Sequence, residues 1–244
     1  MNVYREKLRL RHHQCGADCK LKLKSIFDLF QDAAAEHADI LGCGMENMLE
    51  HKTLWVLSRQ KVVISRLPGV GENVTIETYP CGMERLFAIR EYRIYDESGE
   101  LIIFGTAAWL ILDMDTIRPK RLTPELLALV PDNSELPVSF KSLDKVVCPS
   151  SENDKSCGIY TVHASDIDMN RHLNNANYGA MIQDAIFTEN KTVNDIASVE
   201  INYLHSGQNG EEISIYLHDN GDNSIQLGGY CNGKAAFSSH VTLK

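Results

Sequence analysis

Residues 26–34 read IFDLFQDAA and residues 178–186 read YGAMIQDAI, so the same Gln-Asp-Ala triplet occurs twice within a similar apolar pattern. In both segments the apolar residues recur at spacings of three and four, which predicts an amphipathic α-helix. A second pair of related segments follows, GENVTI at 71–76 and GEEISI at 210–215, and each is a turn leading into a strand with alternating apolar residues. The two halves of the chain therefore look like copies of one unit.

Each copy combines one helix with several long strands. The strand-like runs cover residues 55–64, 74–79, 86–95, 102–112, 198–204 and 224–231. One long helix with a run of strands indicates an α+β unit, in which an antiparallel sheet wraps its apolar face around the helix. This is a hot-dog architecture, and two tandem copies predict a double hot-dog that packs as a pseudo-dimer.

The repeat divides the chain into three segments. Residues 1–131 form the predicted N-terminal hot-dog and residues 154–244 the C-terminal one. Residues 132–153 are rich in Pro, Ser, Asp and Asn and are predicted to be a linker, although residues 138–147 carry enough apolar side chains to pack on a domain surface.

Composition excludes several classes of protein. No apolar run in the 244 residues approaches the ~18 that a membrane helix needs, and the amino terminus is polar and charged, so we expect a soluble, cytoplasmic protein. The seven cysteines are an odd number without a Cys-x-x-Cys pair, which argues against a disulfide framework and a zinc site. No residue pattern requires a metal or an organic cofactor.

The charge is unevenly distributed along the chain. A net charge of −9 disfavours nucleic acid as a partner and gives no general attraction to anionic membranes. Basic residues are concentrated in the first half, and their densest cluster is Arg118, Lys120 and Arg121. A surface patch of that sign could dock an acidic partner protein, although a solvated turn would look the same in the sequence.

The stretch SDIDMNRHLNNANY, residues 165–178, places acid, amide and imidazole side chains directly before the second predicted helix. Asp168, Asn170 and His172 occupy alternate positions, so in an extended segment they would project to one side. Either Asn174 or Asn175 can cap the helix, whose free amides and positive end would then stabilise a developing oxyanion at the same place. The simpler interpretation is that these residues are only turn and capping residues.

The segment Asp168-Met169-Asn170-Arg171-His172-Leu173-Asn174-Asn175 resembles the active-site signature of the plant and bacterial acyl-acyl carrier protein thioesterases. Four further segments resemble that family in the same order, so that the likeness covers most of the chain: residues 54–59, 68–72, 108–110 and 118–122. Several separated segments with matching spacing form a specific signal, whereas any one alone would be weak.

The resemblance implies a double hot-dog enzyme that releases free fatty acid from acyl-acyl carrier protein in fatty acid biosynthesis. Asp168, Asn170 and His172 would be catalytic, Trp55 would border the acyl groove, and the cluster at 118–121 would dock the carrier, which presents its phosphopantetheine arm. The alternatives are an acyl-coenzyme A thioesterase and an acyl-binding module without turnover. The acyl chain length and the oligomeric state, monomer or homodimer, stay open.

One segment departs from the family pattern. In the plant enzymes a later strand ends Tyr-Arg-Arg-Glu-Cys, with the Glu held to be catalytic, and the corresponding run here is residues 203–207. Ser206 replaces the acid and Gly207 replaces the thiol, which favours direct attack by water. The base is then Asp168 or His172, with His205 as a further candidate; a shifted alignment would bring in Glu200 or Glu211.

The repeat locates the chemistry in one half. When the two Gln-Asp-Ala triplets are aligned, Asp168, Asn170 and His172 fall opposite a glycine, Asp18 and Lys20. The first half therefore lacks the catalytic set. Our hypothesis is that the first half binds the acyl chain while the second performs hydrolysis.

Overall fold

The computed structural model describes residues 2–149 and 154–244, so the end of the predicted linker, residues 150–153, lies outside the described residues. Within them the chain forms four α-helices: α1 (Leu23–Ile40), α2 (Met45–Glu50), α3 (Pro124–Leu129) and α4 (Asn175–Phe187). The eleven β-strands of the same ranges are β1 (Tyr4–Arg9), β2 (Thr53–Ile64), β3 (Asn73–Glu84), β4 (Phe87–Tyr95), β5 (Leu101–Asp113), β6 (Arg118–Lys120), β7 (Lys155–Thr161), β8 (Ile196–Tyr203), β9 (Glu212–Asp219), β10 (Ser224–Cys231) and β11 (Lys234–Leu243). None of the helices described is long and apolar enough to cross a membrane.

All of these strands form one antiparallel sheet with the order β1-β3-β4-β5-β2-β8-β11-β10-β9-β7, and the short β6 pairs with β5. Apart from β6, which has no counterpart, the order in the second half mirrors that in the first. The halves join where β2 pairs with β8, with Val62 opposite Val199. The predicted α+β double hot-dog is therefore confirmed, and its two sheets are fused into one.

The long helices α1 and α4 cross closely inside the curve of this sheet. At the crossing, a Cβ atom added to Gly179 would lie 3.0 Å from Cδ2 of Phe27 and 3.2 Å from the backbone of Lys24. One helical turn away, the backbone N–H of Leu23 donates to Oε1 of Gln183 at 3.1 Å. These two contacts fix an antiparallel arrangement in which Phe27 and Gly179 occupy equivalent places in the two repeats.

Side chains from both helices fill the core between helix and sheet. Phe30 of α1 stacks on Tyr92 of β4 with ring centroids 4.5 Å apart, and Tyr178 of α4 packs edge-on against Phe237 of β11 at 5.3 Å. Burying one large apolar side chain contributes about 1.5–3 kcal/mol. The helical faces that the sequence predicts to be apolar are thus the ones that hold each half of the sheet.

The segment predicted as a linker packs on the outer face of the first-half sheet. Because Tyr92 points toward α1, its neighbour Glu91 points the opposite way. There the buried Glu91 carboxylate accepts hydrogen bonds from Thr106 Oγ1 at 2.9 Å and from the backbone N–H of Ser139 at 3.0 Å. Leu143 is buried on the same face. The described part of this segment is therefore attached to the sheet by specific contacts.

We expect Gly179→Val to lower the free energy of unfolding by about 1–3 kcal/mol, because the added methyl groups overpack the helix crossing. Valine has a higher intrinsic helix propensity than glycine, so propensity alone would act in the opposite direction. Urea denaturation would measure the change, with Ala180→Val on the same helix as the control. Equal stability of the two variants would contradict the close crossing.

Candidate active site

The residues of the signature form a tight turn, which we call turn II (residues 167–173). Ile167 and Leu173 form a β-bridge at its base, and the backbone N–H of Asp168 donates to the carbonyl oxygen of His172 at 2.8 Å. Arg171 adopts a left-handed backbone with φ of +63°. The expectation of an extended segment with alternating side chains is therefore wrong, because the chain reverses direction within the motif.

The Asp168 carboxylate organises turn II from within. Its Oδ1 accepts hydrogen bonds from the backbone N–H groups of Asn170 at 2.8 Å and His172 at 3.3 Å. This is the typical use of an aspartate at the start of a turn. Asp168 is partly buried while the Asn170 and His172 side chains are exposed. The turn, and not a strand, brings the three side chains to one place.

Of the two asparagines that could cap α4, Asn174 does so. Its side-chain oxygen accepts a hydrogen bond from the backbone N–H of Ala176 at 2.8 Å, and Asn175 is the first residue of the helix. The backbone N–H of Asn174 in turn donates to the carbonyl oxygen of Asp166 at 2.9 Å. The positive end of α4 is thereby held directly beside turn II.

The first half contains the same backbone turn, which we call turn I (residues 15–21). Cys15 and Leu21 form the β-bridge, and the backbone N–H of Gly16 donates to the carbonyl oxygen of Lys20 at 2.8 Å. Cys19 has a φ of +61°, as Arg171 has in turn II. The alignment drawn from the Gln-Asp-Ala triplets is thus confirmed residue by residue.

The side chains of the two turns differ although their backbones agree. The position of Asp168 is occupied by Gly16 in turn I, and Lys20 stands in the place of His172. Asp18 uses its Oδ1 to accept the Lys20 backbone N–H at 3.0 Å and its Oδ2 to accept the Asn194 side chain at 2.7 Å. Turn I is therefore a structural copy without the imidazole.

A cavity of about 1560 Å³ connects turn II with the interior of the first half. Asp168, Asn170 and His172 all line it, as do Asn174 and Asn175 at the start of α4. The remaining wall is largely contributed by α1, α2 and the strands of the first half. The polar groups singled out in the sequence thus converge on one cavity.

Trp55, predicted to border an acyl groove, lies in the wall of the same cavity. Its ring is partly buried, and its Nε1–H donates to the carbonyl oxygen of Cys43 at 3.0 Å. Met48 and Leu57 also line this cavity. The first half therefore contributes apolar side chains to the wall of the cavity that also contains His172.

The segment that follows β8 lies against turn II. The backbone N–H of Leu173 donates to the carbonyl oxygen of Gly207 at 3.1 Å, and both His205 and Ser206 line the cavity. A Cβ atom at Gly207 would lie 3.2 Å from Cγ2 of Val162, inside the protein. A side chain at that position would point into the core, and Ser206 is the residue of the pair that borders the cavity.

Glu200 and Glu211, the carboxylates that a shifted alignment would bring in as the base, interact with residues outside the cavity. Glu200 forms an ion pair with Lys61 at 3.1 Å. Glu211 accepts a hydrogen bond from the backbone N–H of Gln208 at 2.8 Å, which is the main reason that its pKa is lowered from the ordinary value. Neither lines the cavity. Among the described residues, no group of His, Cys, Asp and Glu side chains is arranged to hold a metal ion.

The basic residues divide into two surfaces. The first surface, which we call the β6 patch, consists of Arg118, Lys120 and Arg121. These residues are exposed and do not line the cavity. Nζ of Lys120 lies 3.4 Å from Oδ2 of Asp113. A second set, the β1 stripe of Lys7, Arg9 and Arg11, lines the cavity and was not singled out in the sequence. The signal that could have identified the stripe is the alternation of basic residues at positions 5, 7, 9 and 11.

Residues 1–130 match the family model of the acyl-ACP thioesterase N-terminal domain, and residues 150–232 match that of the acyl-ACP thioesterase C-terminal domain. The chain belongs to the acyl-ACP thioesterase family. The resemblance drawn from turn II and the four further segments is thereby confirmed.

Two curated members of the family are plant proteins. The chain is 24% identical over 226 residues to oleoyl-acyl carrier protein thioesterase 1, chloroplastic, of Arabidopsis thaliana, covering 86% of this chain and 62% of that protein. It is 22% identical over 239 residues to palmitoyl-acyl carrier protein thioesterase, chloroplastic, of Gossypium hirsutum, covering 93% and 58%. The chain thus spans about three fifths of the length of these acyl-ACP thioesterases.

Two solved acyl-ACP thioesterase structures share the fold over the whole chain. An acyl-ACP thioesterase from Bacteroides thetaiotaomicron VPI-5482 superimposes with a TM-score of 0.88 at 21% identity, covering 100% of this chain and 98% of that one. A 12:0-ACP thioesterase from Umbellularia californica gives a TM-score of 0.84 at 19% identity, with the same coverage of 100% and 98%. At these identities the likeness shows the double hot-dog fold.

Proposed function

We propose that this protein hydrolyses acyl-acyl carrier protein thioesters and releases free fatty acid in fatty acid biosynthesis. The observation that carries the proposal is one continuous cavity, with Asp168, Asn170, His172 and the start of α4 at one part and apolar walls of the first half at another. The names of the curated relatives, which are palmitoyl- and oleoyl-acyl carrier protein thioesterases, support the same substrate class.

In the proposed reaction, water attacks the carbonyl carbon of the thioester. His172 takes the proton from this water, because its imidazole is exposed to the cavity and histidine is the side chain that most often serves as a general base. Asp168 holds turn II together and so fixes the position of His172. Asn170, exposed on the same turn, orients the water.

The bonds then change in two steps. A C–O bond forms to the water oxygen while the carbonyl π electrons move onto the carbonyl oxygen, and the backbone N–H at the start of α4 stabilises that oxyanion. When the oxyanion collapses, the C–S bond breaks and the protonated His172 returns the proton to the leaving thiolate. This route needs no protein nucleophile, in agreement with Ser206 and Gly207 at the position of the family's Glu and Cys.

We assign the acyl chain to the part of the cavity that the first half encloses, where Met48, Trp55 and Leu57 contribute to the wall. An apolar wall lowers the free energy of a buried alkyl chain by about 0.8 kcal/mol per methylene. The repeats would then divide the work, with the N-terminal hot-dog holding the chain and the C-terminal one cleaving the thioester.

We expect His172→Ala to lower kcat for acyl-acyl carrier protein at least about 100-fold, since general-base catalysis typically contributes that much. Lys20→Ala, the equivalent change in turn I, is the matched control and should retain kcat within about threefold. Steady-state release of free thiol would measure both. Equal losses in the two variants would rule out the division of work between the halves.

The β1 stripe is better placed than the β6 patch to receive the carrier. Lys7 and Arg9 are exposed and occupy alternate positions of β1, so both project from one side of the strand. Together with Arg11 they border the cavity that contains turn II, and opposite charge steers an acidic partner to such a rim. We therefore propose docking on the β1 stripe, while docking on the β6 patch stays the prediction from sequence.

Reversing the charges of the stripe with Lys7→Glu, Arg9→Glu and Arg11→Glu should raise KM for acyl-acyl carrier protein by at least about tenfold, because these cations act on the acidic carrier and not on the thioester. KM for the matching acyl-coenzyme A should change less. The control is the same reversal at Arg118, Lys120 and Arg121.

A larger effect from the β6 reversal would return the docking site to that patch. Wild-type turnover mainly on acyl-coenzyme A would place the protein in the alternative thioesterase class. Absence of turnover on every thioester, with acyl chains bound, would identify a binding module.

A further inference from the structure

The crossing of α1 and α4 places a side chain of the first half at the site in the second. The helices run antiparallel through Phe27 and Gly179, and one turn to one side the Leu23 backbone meets Gln183. One turn to the other side, the same geometry sets Gln31 of α1 against Asn175, the first residue of α4. Gln31 and Gln183 are the two glutamines of the repeated Gln-Asp-Ala triplet.

The cavities agree with this placement. A small cavity of about 10 Å³ lies between the helices and is lined by Gln31, Asn175 and Ala176, together with Tyr203. Gln31 and Asn175 also line the large cavity that contains turn II. The Gln31 carboxamide is therefore next to the start of α4 and open to the space where the substrate would bind.

The two glutamines are in different states. The Gln183 side-chain oxygen is occupied by the backbone N–H of Leu23 at 3.1 Å, at the start of α1 beside turn I. Among the residues that the structure describes, no hydrogen bond involves the Gln31 carboxamide or the backbone N–H of Asn175. The copy formed by Gln183 and Leu23 is hydrogen-bonded and therefore structural. The copy beside His172 leaves its polar groups available.

We propose that Gln31, contributed by the N-terminal hot-dog, is a catalytic residue of the site in the C-terminal hot-dog and donates its Nε2–H to the thioester carbonyl oxygen. The inference rests on the proposed thioester hydrolysis. The backbone N–H of Asn175 is the second donor, so the oxyanion hole contains one group from each half. Turn II alone does not complete the site.

The N–H groups of Gln31 and Asn175 stabilise the negative charge that develops on the carbonyl oxygen during the reaction. When water attacks, the carbonyl oxygen gains negative charge, and N–H donors already placed beside it stabilise that charge. A neutral carboxamide is suited to this position because it donates without carrying a charge that would bind the ground-state carboxylate product.

Kinetics on the full chain test the donor. We expect Gln31→Ala to lower kcat for acyl-acyl carrier protein by about 100-fold, the usual effect of removing one oxyanion-hole donor. Gln31→Glu, which keeps the shape but loses the donor, should lose as much. Gln183→Ala is the matched control, and we expect a lower melting temperature with kcat retained.

Two results would overturn the proposal. Retention of kcat in Gln31→Ala would show that the side chain does not act on the reacting oxygen. Full activity of Gln31→Glu would show that its N–H groups are not used. Equal loss of kcat in Gln31→Ala and Gln183→Ala, with equal loss of melting temperature, would mean that both glutamines only support the helix pair.

A binding measurement separates this inference from the proposed function. The probe is an acyl-pantetheine in which a methylene replaces the sulfur, so that the carbonyl oxygen is present and no hydrolysis is needed. Calorimetry should give at least about tenfold weaker binding to Gln31→Ala than to the wild type or Gln183→Ala, because one of the two donors is lost. Equal affinity for all three proteins would overturn the proposal even if the wild type turns out to lack turnover.

Discussion

The close antiparallel contact between α1 and α4 is the constraint on which the rest of this structure depends. Gly179 permits it, because any side chain there would meet Phe27 and the backbone of Lys24. With the helices locked in this register, the two halves of the sheet curve around them and join through β2 and β8. The start of each helix is then set against the middle of the other, which is why residues of one half can take part in a site of the other.

Two equivalent places result from this symmetry, and the chain uses them differently. Turn I and turn II share their bridge, their internal hydrogen bond and their left-handed residue. Only turn II carries an imidazole at the position that faces the cavity, where turn I has Lys20. The same backbone therefore supports a structural turn in the first half and a turn suited to hydrolysis in the second.

Local and repeated patterns in the sequence predicted much of this correctly. Apolar spacing identified both helices, the repeated triplet aligned the halves, and the capping position was narrowed to Asn174 or Asn175. The shape of turn II was not predicted, because alternation alone does not show that the Asp168 carboxylate binds two amides of its own turn or that Arg171 is left-handed. Local patterns describe the segment, whereas its reversal depends on these specific bonds.

Features that depend on contacts between distant segments were also missed. The sequence indicated that residues 138–147 could pack on a domain surface, but it did not identify the contact between Ser139 and Glu91. The position of the β1 stripe at the cavity also arises from the way in which the sheet brings remote residues together. The same holds for Gln31, which in the sequence is simply one residue of an amphipathic helix. Its place beside Asn175 follows only from the register of the two helices.

The most direct test of the account is a crystal structure of the protein with the sulfur-to-methylene acyl-pantetheine analogue. If one site is divided between the two repeats, the carbonyl oxygen lies within hydrogen-bond distance, about 2.7–3.2 Å, of the backbone nitrogen of Asn175, and the alkyl chain lies along Trp55 in the first half. An alkyl chain bound within the second half, or a carbonyl group away from the start of α4, would contradict the division of one site between two repeats.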